Sequence, residues 1–138
     1  MEVTRRDTMA IGGAAVISTL IPSISVASTN DLIMGVTGGA DAATSGIDLT
    51  APEIAENGNT VPISVDAPGA VVITIMAAGN PLPGVAKFKF GDGAAAQAAT
   101  TRIRLAGTQD VVAVAEMADG SFAAVSKMVK VTIGGCGG

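Results

Sequence analysis

From Ile47 onward, apolar and polar residues alternate in short runs, and the repeat is two residues. Phe88 and Phe90 alternate with Lys87 and Lys89, Ile103 and Leu105 with Arg102 and Arg104, and Val129, Val131 and Ile133 with Met128, Lys130 and Thr132. Such runs place one set of side chains on a buried face and the other in water. Seven strands are predicted: Ile47–Ile54, Val61–Asp66, Ala70–Met76, Val85–Phe90, Thr100–Leu105, Val111–Met117 and Phe122–Ile133. Asn57-Gly58, Ala67-Pro68-Gly69, Gly79-Asn80-Pro81, Gly91-Asp92-Gly93, Gly107 and Asp119-Gly120 punctuate them as turn signals. Seven strands at this spacing predict an all-β, antiparallel, immunoglobulin-like β-sandwich over 47–133. Val111-Val112-Ala113-Val114-Ala115 departs from the alternation, being apolar on both faces. A strand of that kind requires cover on both sides, which points to an obligate partner. AAAQAA at 94–99 is too short and too closely flanked by glycine to stand as a helix.

Upstream the pattern changes. Asn30 to Val36 predicts one short helix, with Asn30 at its N-cap and Gly38-Gly39 ending it, too brief to be more than a flap. Residues 40–46 are small and polar, so 28–46 reads as a short helix and linker. Residues 1–27 read as an export signal: a charged start, a weakly apolar stretch from Ile11 to Ile21, then Pro22 and Ser25-Val26-Ala27 as cleavage site. Ser18, Thr19, Pro22, Ser23 and Ser25 interrupt the roughly 20 apolar residues that a membrane span needs, so no membrane anchor is expected. Arg5-Arg6 after Thr4 resembles a twin-arginine signal, which exports folded cargo and places the mature protein in the periplasm.

Composition narrows the chemistry. The 138 residues carry a formal net charge of −4, which argues against nucleic acid or an anionic membrane surface as partner. Aromatics are only 2%, with no Trp or Tyr, so the core must be built from aliphatic residues. Histidine is absent, which excludes Ser/His/Asp and Cys/His nucleophiles within the chain and removes the commonest zinc ligand. Lys87, Lys89, Arg102 and Arg104 read as solvated strand faces, and Glu53 and Glu56 lack the acid–base or metal-ligand company that catalysis requires.

The single cysteine, Cys136, stands in the terminal stretch Gly134-Gly135-Cys136-Gly137-Gly138. Glycine has the widest backbone freedom and no side chain to pack, so 134–138 reads as a flexible arm beginning where strand alternation stops at Ile133. At no more than about 3.6 Å per residue, Cys136 reaches roughly 10 Å beyond the domain. No cation, helix N-terminus or metal ligand set accompanies it in sequence, and the terminal carboxylate disfavours its thiolate. Chemistry at Cys136 is therefore expected to come from a partner's active site, with no catalytic residue and no metal or cofactor in the chain itself. An incidental cysteine in a glycine-rich tail is the plain alternative.

The chain resembles the SoxY family, the sulfur carriers of the bacterial Sox thiosulfate-oxidation system. The residues that carry the resemblance are Ala51-Pro52-Glu53-Ile54-Ala55-Glu56-Asn57-Gly58, Val61-Pro62-Ile63, the stretch Thr101 to Gln109, Asp119-Gly120-Ser121-Phe122, and VKVTIGGCGG from Val129 to Gly138. The resemblance implies a carrier rather than an enzyme, with Cys136 as the covalent attachment point for sulfur intermediates. It implies a heterodimer with SoxZ and transient visits to the cytochrome SoxXA, the hydrolase SoxB and, where present, the molybdenum enzyme SoxCD. Two other functions fit parts of the pattern. One is a ubiquitin-like carrier activated at the Gly138 carboxylate; the other is a periplasmic structural or binding sandwich without a covalent role.

Overall fold

The computed structural model describes residues 28–134. The export-signal reading of 1–27, and Gly135, Cys136, Gly137 and Gly138, lie outside the described residues. One helix, α1 (Thr29–Thr37), precedes nine strands: β1 (Ala42–Ala43), β2 (Asp48–Thr50), β3 (Ile54–Asn57), β4 (Val61–Asp66), β5 (Ala70–Ala77), β6 (Gly84–Lys89), β7 (Ala98–Ile103), β8 (Gln109–Met117) and β9 (Phe122–Ile133).

The strands form two stacked sheets. The larger runs β1-β9-β8-β5-β6, with β3 also alongside β9; the smaller runs β2-β4-β7. Pairing is antiparallel except along the outer edge of β9, where β1 and β3 both run parallel to it. The alternating residues behave as their period requires. Val61, Ile63 and Val65 of β4 and Ile73 and Ile75 of β5 turn inward with Ile103, Leu105, Val111 and Val129, all nearly inaccessible to solvent, to make the inter-sheet core. Phe88 and Phe90 pack against that core while Lys89 stays in water.

Five expectations are corrected. The single strand predicted over Ile47–Ile54 is two strands in different sheets: β2 pairs β4, and β3 pairs β9. Pro52, which has no N–H to donate to a ladder, stands in the crossing between them. The helix is capped by Ser28, not Asn30. Ser28 Oγ accepts from the Asp31 N–H at 3.2 Å, and the Ser28 N–H donates back to the Asp31 carboxylate at 3.3 Å, a reciprocal capping box. Gly38, at φ 67°, closes the other end in the left-handed conformation that an L side chain resists.

The helix is also more than a flap. Met76, Val112, Val114 and Ala124 form a second apolar cluster on the outer face of the larger sheet, and Leu32, Ile33 and Val36 of α1 pack onto it with Ala42 and Phe122. The double-faced apolar run of β8 is thus covered by the chain itself, and it does not call for a partner. Finally, Ile133 is 67% exposed although it continues the buried alternation. The β8–β9 ladder stops at Gln109 and Val129, so the last four residues of β9 project past β8 and have β3 as their one strand partner among the described residues.

Candidate functional site

The sequence directs attention to the tail, and the structure describes the base from which it leaves. β9 ends between two segments. On one side β3 accompanies it from Ile54 opposite Lys130 to Asn57 opposite Ile133, with Lys130 N–H donating to the Glu53 carbonyl at 2.9 Å. On the other side lies the loop after β7. There Val131 N–H donates to Thr108 Oγ1 at 2.9 Å, which replaces the ladder partner that β8 no longer supplies. Gly58 joins the two: its N–H donates to the Ile133 carbonyl at 2.7 Å, and its own carbonyl accepts from Leu105 N–H at 2.8 Å. One buried residue thereby ties both sheets to the last rung of β9.

Gly134 is the one residue of the predicted arm that the structure describes. A Cβ built on it would fall on the carbonyl oxygen of Ala106. Its lack of a side chain is a steric requirement of close backbone approach, in addition to any freedom that glycine gives a chain.

The loop that Gly134 meets is itself held rigidly. Asn80 Nδ2 donates to the Arg104 carbonyl at 2.8 Å, and Asn80 Oδ1 accepts from Ala106 N–H at 2.9 Å. Gln109, 5% exposed, satisfies both hydrogens of its amide: Nε2 donates to Asn80 Oδ1 at 2.8 Å and to the Gly107 carbonyl at 3.0 Å. Its Oε1 accepts from Gly79 N–H at 2.8 Å. Gly79 must stay glycine for this, since a Cβ there would lie 2.9 Å from Cβ of Gln109. Buried amides with all donors used are a mark of fixed geometry.

A shallow cleft of about 370 Å³ opens beside this network, lined by Asn59, Asn80, Leu82, Val85, Arg102 and Arg104 among others. Leu82 is 78% exposed at its lip. Arg102 and Arg104 project outward while Ile103 and Leu105 are buried, as their alternation predicts. A larger groove of about 550 Å³ lies between α1, β1 and β9, away from the end of β9. Among the described residues no group of three or more His, Cys, Asp or Glu is placed to hold a metal ion.

The quoted sequence motifs converge in space. Residues 51–58, 101–109 and 129–134 meet at the end of β9, whereas Asp119-Gly120-Ser121-Phe122 forms the turn into β9 at its opposite end. Sequence reasoning took Asn80 for an ordinary turn residue and gave Gln109 no separate role. Apart from the local Gln109–Gly107 bond, their bonds span 24 to 30 residues, and no local periodicity signals them.

Comparison with known proteins adds independent findings. The family model for the sulfur oxidation protein SoxY matches residues 33–136, a span that includes Cys136. The solved structure of the sulfur carrier protein SoxY from Chlorobium limicola f thiosulfatophilum is similar at 34% identity and a TM-score of 0.62, covering 75% of this chain and 96% of that one. A superoxide reductase (neelaredoxin) variant from Ignicoccus hospitalis is similar at 18% identity and a TM-score of 0.56, covering 73% of this chain and 90% of that one. At that identity the likeness is one of fold alone. No match is found among curated protein sequences.

Proposed function

This chain belongs to the SoxY family, and from that premise we propose that it carries sulfur intermediates covalently on Cys136 and presents them to partner enzymes. The observation that carries the reading is the family match running to Cys136, combined with 34% identity to a SoxY sulfur carrier. The convergence of three of the motifs that carry the resemblance on the base of the tail supports it, because they lie far apart in sequence and meet beside the segment that leads to Cys136.

Loading is an oxidation. The Cys136 thiol loses its proton and forms a sulfur–sulfur bond to the sulfane sulfur of thiosulfate, and two electrons leave for an external acceptor, the haem cytochrome of the resemblance. Hydrolysis then transfers the oxygen of water to the terminal sulfonate, which departs as sulfate and leaves a persulfide on Cys136. Neither step asks this chain for an acid, a base or a metal. Tethering keeps a reactive sulfane from diffusing and raises its concentration at each docked active site.

The partners belong to the same proposal: SoxZ as the stable companion, with SoxXA, SoxB and SoxCD as transient ones. So does the periplasmic location through a twin-arginine signal over 1–27. The two-sheet sandwich gives no support to the ubiquitin-like alternative. Intact-mass measurement of the protein from cells oxidising thiosulfate tests the central claim. Sulfur adducts are expected on Cys136, and Cys136→Ser is expected to stop thiosulfate oxidation. Adducts elsewhere, or an active Ser variant, would refute it.

A further inference from the structure

Resting on that carrier reading, we propose that Asn80 and Gln109 are positioning residues for Cys136: they hold the 104–108 loop as a fixed stop against Gly134, and so set where the carrier segment leaves the domain.

Three observations lead there. First, the loop has no regular-structure partner between Leu105 and Gln109, yet four side-chain hydrogen bonds of 2.8 to 3.0 Å from Asn80 and Gln109 reach Arg104, Ala106, Gly107 and each other. Second, the Ala106 carbonyl, whose own N–H is held by Asn80, is the group that a side chain at position 134 would strike. Third, the same loop supplies Thr108 Oγ1 to Val131 N–H, in the part of β9 that lacks β8. Among the described residues, the side-chain hydrogen bonds of Asn80 and Gln109 go to Gly79, Arg104, Ala106, Gly107 and each other, and not to Gly134. They act through the loop.

The consequence is a shorter and better aimed reach. With Gly134 seated against Ala106, only Gly135 lies between that residue and Cys136, so chain length limits the Cα of Cys136 to about 7 Å from Gly134, against the roughly 10 Å reckoned from Ile133. A shorter tether anchored at a defined point raises the effective concentration of the thiol at an active site docked over that exit. A displacement of about 1 Å at the anchor is enough to slow a positioned reaction by orders of magnitude.

The full chain permits a direct test, because Cys136 is its only cysteine. One nitroxide goes on Cys136 and a second on Ala98→Cys, an exposed position on β7 at the end remote from the exit. Pulsed dipolar spectroscopy then gives the distribution of distances between them. Asn80→Ala and Gln109→Ala are expected to broaden that distribution while far-UV circular dichroism keeps its sandwich signature. Asn80→Asp, which retains the acceptor for Ala106 N–H and Gln109 Nε2 but sets a carboxylate oxygen against the Arg104 carbonyl, is expected to give a distribution between those of the wild type and Asn80→Ala. Enzymatic loading of thiosulfate onto Cys136 is expected to slow roughly tenfold in the Ala variants. Reaction of Cys136 with a small soluble disulfide reagent is expected to stay unchanged. Should Asn80→Ala fail to fold, Asn80→Ser decides: its shorter side chain cannot span both the Arg104 carbonyl and the Ala106 N–H, and position 80 is only half-buried. An unchanged distance distribution in a folded variant overturns the proposal. Absence of sulfur on Cys136 would instead sink the carrier reading, and the distance result would stand on its own.

Discussion

Val112→Ala tests whether α1 is part of the core or a loose appendage. Val112 is fully buried, and its side chain points away from the inter-sheet core into the cluster that α1 covers. Truncation removes two methyl groups, about 1.6 kcal/mol of transfer free energy at roughly 0.8 kcal/mol per carbon. A cavity that the tightly paired strands cannot close adds to this, for a total of about 2 to 3 kcal/mol. In a domain of this size that lowers Tm by roughly 8 to 12 °C. With no Trp or Tyr in the chain, urea denaturation followed by far-UV circular dichroism is the suitable assay. Ile33→Ala supplies the second leg of a double-mutant cycle, since Ile33 packs onto the same cluster. A coupling of about 0.5 kcal/mol or more between the two is expected. A loss below about 0.5 kcal/mol for Val112→Ala, the range of ordinary surface changes, would mean that water already reaches this face and that the helix does not seal it.

Two further outcomes follow from local geometry. Ser28→Ala removes one half of the capping box and is expected to cost about 1 kcal/mol in the same urea assay; because α1 seals the second cluster, the loss should appear in global unfolding rather than as fraying alone. The hydrogen bond from the Ser121 hydroxyl at 2.6 Å, followed by that from the Ser121 N–H at 2.9 Å, holds the Asp119 carboxyl below its ordinary pKa of 3.8. The turn's contribution from this carboxylate is thus full above that ordinary value and is lost as pH falls through the lowered one. An NMR titration of Asp119 should show the depressed midpoint, and Ser121→Ala should return it toward 3.8.

Strands whose environment is regular along their length were legible from residues alone. β4 at Val61–Asp66 has the bounds that alternation predicts, because every inward residue meets the same core; β9 at Phe122–Ile133 also has its predicted bounds, although its burial is not regular along its length. Where the environment changes within a run, alternation misleads. Ile47 to Ile54 kept an apolar pattern across a change of sheet, and Ile133 kept it beyond the edge of β8. The double-faced apolar character of β8 correctly announced cover on both sides, but hydrophobicity does not say whether the cover comes from the same chain. Cys136 stood out through its glycine neighbours and solitary chemistry. The Asn80–Gln109 network did not, since an amide that bridges distant loops has the same local signature as one that makes a turn.

The placement of β3 beside the projecting end of β9 has a mechanical meaning. A carrier whose last residues are gripped inside another protein is pulled along the axis of its final strand. The rungs joining β9 to β3, from Ile54–Lys130 to Asn57–Ile133, lie across that axis and are loaded in shear, so they share the tension instead of parting one at a time. The Gly58 bond to the Ile133 carbonyl is the first to feel the load and passes it through Leu105 to the second sheet. On the proposed carrier reading, a pull on the tail would thus be shared with both neighbouring segments instead of being borne by the tip of β9 alone.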